Sequence, residues 1–264
     1  MPLKPIPSPS PLKGDKEGEI EEMITLAIDG REVQVREGVT ILEAAKENNI
    51  YIPSLCSHEA VAPYGACRLC LVEVVKNGRQ RLVASCLYPV EEGLIVKTNS
   101  KKIMDNRRVI VELLLARCPD VEVIQDLARE LGVDKTPFKP EDKQCILCGL
   151  CVRVCQEVVA VSAISLVNRG VDREIASPFY EASEACIGCG SCAYICPINT
   201  IKLEDIGDTR TITMPNPKMD KMEFKLKKCK ICGNYWAPEK QLDYIAKQSN
   251  LTPEVFDICP NCRD

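Results

Sequence analysis

With 264 residues the chain has room for two or three small domains but not for one large catalytic core. Its formal net charge of -4 argues against a nucleic-acid partner, because binding a phosphate backbone needs a basic face. Aromatic residues make up only 5% and there are seventeen cysteines, the composition of small folds held by metal centres instead of a large organic core.

Residues 1–22 hold five prolines and several charges but no apolar run, so they read as a flexible arm and not as a signal peptide. No later apolar run is long enough to span a bilayer, the longest lying near residues 109–116. The chain is therefore expected to be soluble and cytoplasmic, its thiols reduced or metal-bound.

From Met23 the pattern becomes that of strands. Ile24, Leu26 and Ile28 alternate onto one face, Asp29-Gly30 turns the chain, and Val33 and Val35 alternate on the return. Thr40-Ile-Leu-Glu43 has the spacing of a capping box and opens a short helix through Ala44, Ala45 and Lys46. Two strands and a helix in this order begin a β-grasp module, assigned to residues 23–100. Its loop carries Cys56, Cys67 and Cys70, and Cys86 follows a strand, an Asn77-Gly78 turn and a returning strand over residues 81–85. The spacing C-x10-C-x2-C-x15-C matches the plant-type 2Fe-2S arrangement, with a first gap of ten residues where four are usual. A four-cysteine zinc site is the alternative. His58, the sole histidine, reads as a solvent-facing loop residue, since the four cysteines already complete a ligand set.

Residues 101–138 read as a helical linker, with helices over 102–116 and 121–131 joined at Pro119-Asp120. Cys118, between them, reads as a small buried residue. Residues 139–205 then carry Cys145-Ile-Leu-Cys148-Gly-Leu-Cys151-Val-Arg-Val-Cys155 and Cys186-Ile-Gly-Cys189-Gly-Ser-Cys192-Ala-Tyr-Ile-Cys196-Pro197. Each is a C-x2-C-x2-C-x3-C array, the spacing by which bacterial ferredoxins hold a 4Fe-4S group with three thiolates from one run and the fourth from the other. On that logic Cys145, Cys148, Cys151 and Cys196 hold one 4Fe-4S group, and Cys155, Cys186, Cys189 and Cys192 hold a second. The small Gly149, Gly188, Gly190 and Ser191 allow close backbone approach. Between the runs, Val158, Ala160, Ile164 and Leu166 are expected to form a strand and cover that keep water from the sulfurs.

Residues 206–221 read as a polar connector and 222–264 as a separate tail domain. There Cys229-Lys-Ile-Cys232 and Cys259-Pro-Asn-Cys262 form two C-x2-C knuckles around a helix over residues 238–247, whose apolar face is Leu242, Ile245 and Ala246. Paired, distant knuckles are the pattern of a structural zinc site in a small zinc-ribbon-like fold; a further 4Fe-4S group is the alternative. The lysines near the first knuckle read as a solvated face. The fold class is thus α+β: a β-grasp 2Fe-2S domain, a short helical linker, a two-4Fe-4S bacterial-ferredoxin-like domain and the tail knuckle.

Pro53-Ser-Leu-Cys56-Ser-His58, Gly65-Ala-Cys67-Arg-Leu-Cys70-Leu-Val-Glu-Val, the two long cysteine runs and Cys155-Gln-Glu-Val158 occur here in one order. In this, residues 23–205 resemble the N-terminal iron-sulfur part of the large iron-sulfur subunit of respiratory complex I. They equally resemble the corresponding electron-transfer subunits of NAD(P)-linked hydrogenases and formate dehydrogenases. The tail resembles the C-terminal knuckles of some hydrogenase ferredoxin subunits. The resemblance implies a relay between a flavoprotein subunit carrying FMN and NAD(P)H and a catalytic hydrogenase or dehydrogenase subunit, with ferredoxin as a further candidate partner. Electron bifurcation fits that setting, though nothing in the chain demands it. Many relatives carry an extra 4Fe-4S group on one histidine and three cysteines between the two parts. Residues 113–133 offer only Cys118, so that group is expected to be missing.

No residue is cast as acid, base or nucleophile, and no G-x-G-x-x-G fingerprint occurs, which leaves flavin and nucleotide to partners. The leading expectation is a non-catalytic electron-transfer subunit of a soluble NAD(P)-linked hydrogenase complex. Three alternatives stand beside it: the iron-sulfur subunit of a formate or aldehyde oxidoreductase, a reductase acting directly on a soluble acceptor, and a redox-sensing or scaffold protein.

Overall fold

The Asp29-Gly30 turn places both residues at positive φ, 50° and 79°, and so closes a tight hairpin between β1 (Met23–Ile28) and β2 (Arg31–Arg36). The computed structural model describes residues 23–76 and 78–263. The arm expected over residues 1–22, and Asn77 of the second turn, lie outside the described residues. The chain divides into two compact units, the first comprising residues up to Leu113 with Ala128–Lys135, the second Leu114–Leu127 with everything from Thr136 onward.

In the first unit, α1 (Ile41–Glu47) starts at Thr40, whose hydroxyl accepts from the Glu43 N–H while the Glu43 carboxylate accepts from the Thr40 N–H at 2.7 Å. The capping box is therefore complete, and α1 turns Ile41, Leu42, Ala44 and Ala45 onto the sheet. β3 (Leu71–Lys76) and β4 (Arg79–Ala84) form a second hairpin, and β5 (Ile95–Lys97) lies between the two hairpins. The order is β2-β1-β5-β3-β4, with β5 parallel to β1 and every other pair antiparallel. A helix held across such a mixed sheet is the β-grasp arrangement. Its core is Leu26, Ile28, Val33, Val35, Val72, Val74 and Val96, and Cys70 and Cys86 belong to the same packed group.

The helices expected over 102–116 and 121–131 are α2 (Lys101–Arg117) and α3 (Glu122–Glu130). Both match the apolar spacing to within a residue at most ends.

The second unit is built around two short helices, α4 (Leu150–Arg153), prolonged by a wide turn over Val154–Val158, and α5 (Ser191–Tyr194). β6 (Ser165–Val167) and β7 (Glu174–Ala176) pair between them. β8 (Lys202–Ile206), β9 (Thr209–Thr213), β10 (Met222–Lys228) and β11 (Tyr235–Pro238) then form one antiparallel sheet, followed by α6 (Glu239–Ser249).

This sheet corrects the reading of residues 206–221 as a connector and of 222–264 as a separate tail. Thr209–Thr213 pairs with β8 on one side and with β10 on the other, Ile212 opposite Met222. The reason lies in alternation. Met222, Phe224 and Leu226 point inward, and Met222 and Phe224 join Ile164, Ile175, Ile201 and Ile212 in one core. α6 is tied to the same body by the Tyr244 hydroxyl, which donates to the Val159 carbonyl at 3.2 Å.

The cover over the sulfurs is as expected at Ile164 and Leu166, which pack into the core, but differs at the other two positions. Val158 is 51% exposed and Ala160 is exposed at φ 61°, while Val159, Val161 and Ala163 line the cavity in their place. The wide turn after α4 adds a residue to the helical repeat and shifts which side chains face in.

Thr40→Ala removes the acceptor of the Glu43 N–H while the Thr40 N–H keeps its bond to the Glu43 carboxylate. It should cost about 1 kcal/mol and lower the first unit's thermal midpoint, read by circular dichroism on intact protein.

Candidate metal centres

None of the seventeen cysteines is in a disulfide, and sixteen of them fall into four groups of four. In the first unit the loop before β3 brings Cys56, Cys67 and Cys70 together, and the end of β4 delivers Cys86. Cys70 Sγ and Cys86 Sγ are 3.4 Å apart, and the Cys67 N–H donates to Cys56 Sγ at 3.4 Å. The Leu55 N–H donates to Cys67 Sγ at the same distance. Hydrogen bonding with the Cys67 thiol, then with the Cys86 thiol, draws Cys56 down to about 2. The same contacts with Cys56 push Cys67 and Cys86 up. Four thiols so close cannot all ionise unless a cation lies among them.

In the second unit two small cavities lie beside α4 and α5. One is lined by Cys145, Cys148, Cys151 and Cys196 together with Ile146, Ile175, Ile198 and Ile201. The other is lined by Cys155, Cys186, Cys189 and Cys192 with Val159, Ile164, Met214 and Met222. Each takes three cysteines from one run and one from the other. Burial pushes Cys145, Cys155 and Cys186 up, Cys192 to about 12 and Cys151 well above the ordinary thiol value. N–H groups meet the sulfurs: Leu147 donates to Cys145 at 3.4 Å and Ala163 to Cys155 at 3.3 Å.

The two runs wrap their cavities by the same backbone path. Leu147 and Gly188 both precede the second cysteine of their run and both take positive φ, 55° and 71°. A Cβ on Gly188 would stand 2.6 Å from the Phe224 ring, whereas the first run admits leucine at the matching place.

The tail site is tighter. The Sγ atoms of Cys229, Cys232, Cys259 and Cys262 all lie within 4.8 Å of one another, the one such set among the described residues. Cys232 and Cys259 are 3.8 Å apart, close to the edge of a tetrahedron with zinc-sulfur bonds of about 2.3 Å. The Cys259 N–H donates to Cys229 Sγ at 3.4 Å, and such donors lower Cys229 to about 6. The donor sets therefore fit metal throughout: thiolate is soft, and no carboxylate or histidine lines either cavity.

Two residues outside these groups carry ligand-type atoms: Cys118 is buried as predicted, whereas His58 is less exposed than expected. Cys118 is fully buried at the end of α2, its thiol raised to about 12 by burial. His58 is half-buried, and its Nδ1 accepts from the Ala60 N–H at 3.1 Å. Spacing gave no hint of Arg117, which donates to the carbonyl of Cys145 at 2.7 Å and pairs with Glu141 at 3.3 Å. The one available signal was a cation ending an apolar helix.

Residues 21–101 match a 2Fe-2S iron-sulfur cluster binding domain, and residues 144–200 match a 4Fe-4S dicluster domain. The chain is 36% identical over 188 residues to the NADP-reducing hydrogenase subunit HndD of Solidesulfovibrio fructosivorans, covering 60% of this chain and 32% of that one. It is 32% identical over 204 residues to the NADH-ubiquinone oxidoreductase 75 kDa subunit of Reclinomonas americana, covering 68% and 29%. A chain in the crystal structure of NAD+-reducing [NiFe]-hydrogenase in the H2-reduced state superposes with TM-score 0.52 at 32% identity, over 58% of this chain and 74% of that chain. The chain is an iron-sulfur protein with one 2Fe-2S domain and one 4Fe-4S dicluster domain. It also matches the NADPH-Fe(3+) oxidoreductase subunit alpha of Geobacter sulfurreducens, at 35% over 173 residues, 56% of this chain and 20% of that one. The chain spans between 20% and 32% of the length of these curated relatives. A further cysteine group near its C-terminus could bind a metal. No helix among the described residues is long and apolar enough to cross a membrane.

Gly188→Ala forces a methyl group against Phe224 in a left-handed backbone. It should cost about 1–3 kcal/mol of local stability and lower the iron bound by the second unit, read by iron analysis and EPR of protein purified without oxygen.

Proposed function

We propose that the chain is an electron-transfer subunit that relays electrons between a flavoprotein subunit, carrying FMN and NAD(P)H, and a second redox centre in an NAD(P)-linked hydrogenase complex. The observation that carries this is the crossed lining of the two cavities, three cysteines from one run and one from the other around each. Two 4Fe-4S groups fit them, held by Cys145, Cys148, Cys151 and Cys196 and by Cys155, Cys186, Cys189 and Cys192. A 2Fe-2S group fits Cys56, Cys67, Cys70 and Cys86. When bound, such groups supply one-electron chemistry at potentials that their surroundings adjust.

The chain's own part is to hold, insulate and bias. Isoleucine, valine and methionine walls exclude water from the sulfurs. N–H groups of Leu147, Ala163, Leu55 and Cys67 point at ligating sulfurs and so favour the more negative, reduced state. On one side the second quartet meets the surface, where Cys189 lines a depression with Ser191, Tyr194 and Arg210; this is the side suited to exchange with a partner. No group here is placed to do acid-base or nucleophilic work.

The tail quartet is read as a structural zinc-ribbon-like site. Its sulfurs stand at the spacing for a single tetrahedral ion. A cytoplasmic setting suits seventeen cysteines with no disulfide among them.

Native protein prepared without oxygen should contain about ten iron atoms and one zinc per chain. About fourteen iron and no zinc would make the tail a further 4Fe-4S site, and iron-free protein would end the proposal. Cys196→Ser gives a sharper check on the crossed assignment. It should remove or alter the EPR signal of the group held by Cys145, Cys148 and Cys151 while sparing that of Cys186, Cys189 and Cys192; the reverse outcome would contradict it.

A further inference from the structure

Arg107 lies on α2 and is only 4% exposed. Its Nε donates to the Leu69 carbonyl at 3.0 Å and its Nη2 to the Leu71 carbonyl at 2.8 Å. These two carbonyls flank Cys70. The guanidinium thus grips the ligand loop on both sides of one cysteine.

A buried guanidinium is costly unless an anion faces it, and carbonyl dipoles offset only part of that cost. No carboxylate among the described residues forms an ion pair with Arg107. Asp29 is already engaged by the Thr98 N–H at 2.8 Å and by the Thr98 hydroxyl. Cys70, between the two gripped carbonyls, is itself fully buried and sits beside Cys86 at 3.4 Å, so the ligand quartet is what the guanidinium is held against.

We propose that Arg107 is the fixed counter-charge of the 2Fe-2S group and a positioning residue for its loop, so that it raises the potential of that group. The inference rests on reading Cys56, Cys67, Cys70 and Cys86 as the 2Fe-2S ligands. Four thiolates around two irons and two sulfides carry net negative charge, and reduction adds one electron with no bond made or broken. A cation held in the low-dielectric interior favours the reduced form. Arginine keeps its proton under all ordinary conditions, so the bias does not vary with pH.

The test is an EPR-monitored redox titration of the whole protein, prepared without oxygen, with Arg107→Met and Arg107→Lys beside the unsubstituted chain. Methionine keeps volume and removes charge; lysine keeps charge and gives up the two-pronged grip. In Arg107→Met the 2Fe-2S reduction equilibrium should become at least about tenfold less favourable, or about 59 mV for one electron, with the 4Fe-4S midpoints unmoved. In Arg107→Lys most of the potential should be retained. An unchanged midpoint in Arg107→Met at full 2Fe-2S content overturns the proposal, as does an equal fall in Arg107→Lys. If Arg107→Met fails to hold the group, lysine decides: a near-normal midpoint supports the counter-charge role, and loss of the group from both variants overturns it by showing a purely structural clamp. A missing 2Fe-2S signal in the unsubstituted protein would instead sink the ligand assignment itself.

Discussion

A thiolate buried away from water costs several kcal/mol unless a cation stands beside it. Cys151 and Cys192 are pushed toward the neutral thiol by burial first and by their cysteine neighbours next, and neither cavity wall supplies a positive side chain. The second unit thus has eight sulfurs at the centre of an apolar core, and a metal group bound there would complete that core, making folding and loading one free-energy event.

The two units meet the same constraint differently. In the first, the sheet and α1 form a conventional core that needs no metal to close, and the quartet sits at its margin, with Cys70 and Cys86 sharing its packing. In the second, short helices and a wide turn exist chiefly to aim sulfurs, and the sheet from β8 to β11 supplies the missing apolar floor through Ile212, Met222 and Phe224. A hairpin-rich scaffold carries one cysteine quartet and a loop-rich one carries the two that face the α4–α5 cavities.

Much of this was legible in the residues. A backbone turn of fixed reach must return sulfur to one point, so spacing alone groups sixteen cysteines into the four sets that lie together in the structure. The Thr40–Glu43 box and the apolar repeat of α2 and α3 are equally readable, being local. What is not legible is non-local. Every residue of β8 is exposed, so Lys202–Ile206 shows no buried face, and its strand character comes only from pairing with β9. The inward side of residues 158–164 depends on a wide turn that shifts the repeat by a residue. Arg107 and Arg117 carry no mark of their roles, since nothing in sequence tells that carbonyls of distant loops lie within reach.

β10 is seven residues long, with Met222 in the wall of one sulfur-lined cavity at its start and Cys229 of the tail quartet immediately past its end. Paired along one flank with β9 and along the other with β11, the strand shifts as a single piece. Whatever orders or loosens the Cys229 end is therefore felt in the cavity wall at Met222, so two sites far apart in sequence share one mechanical link.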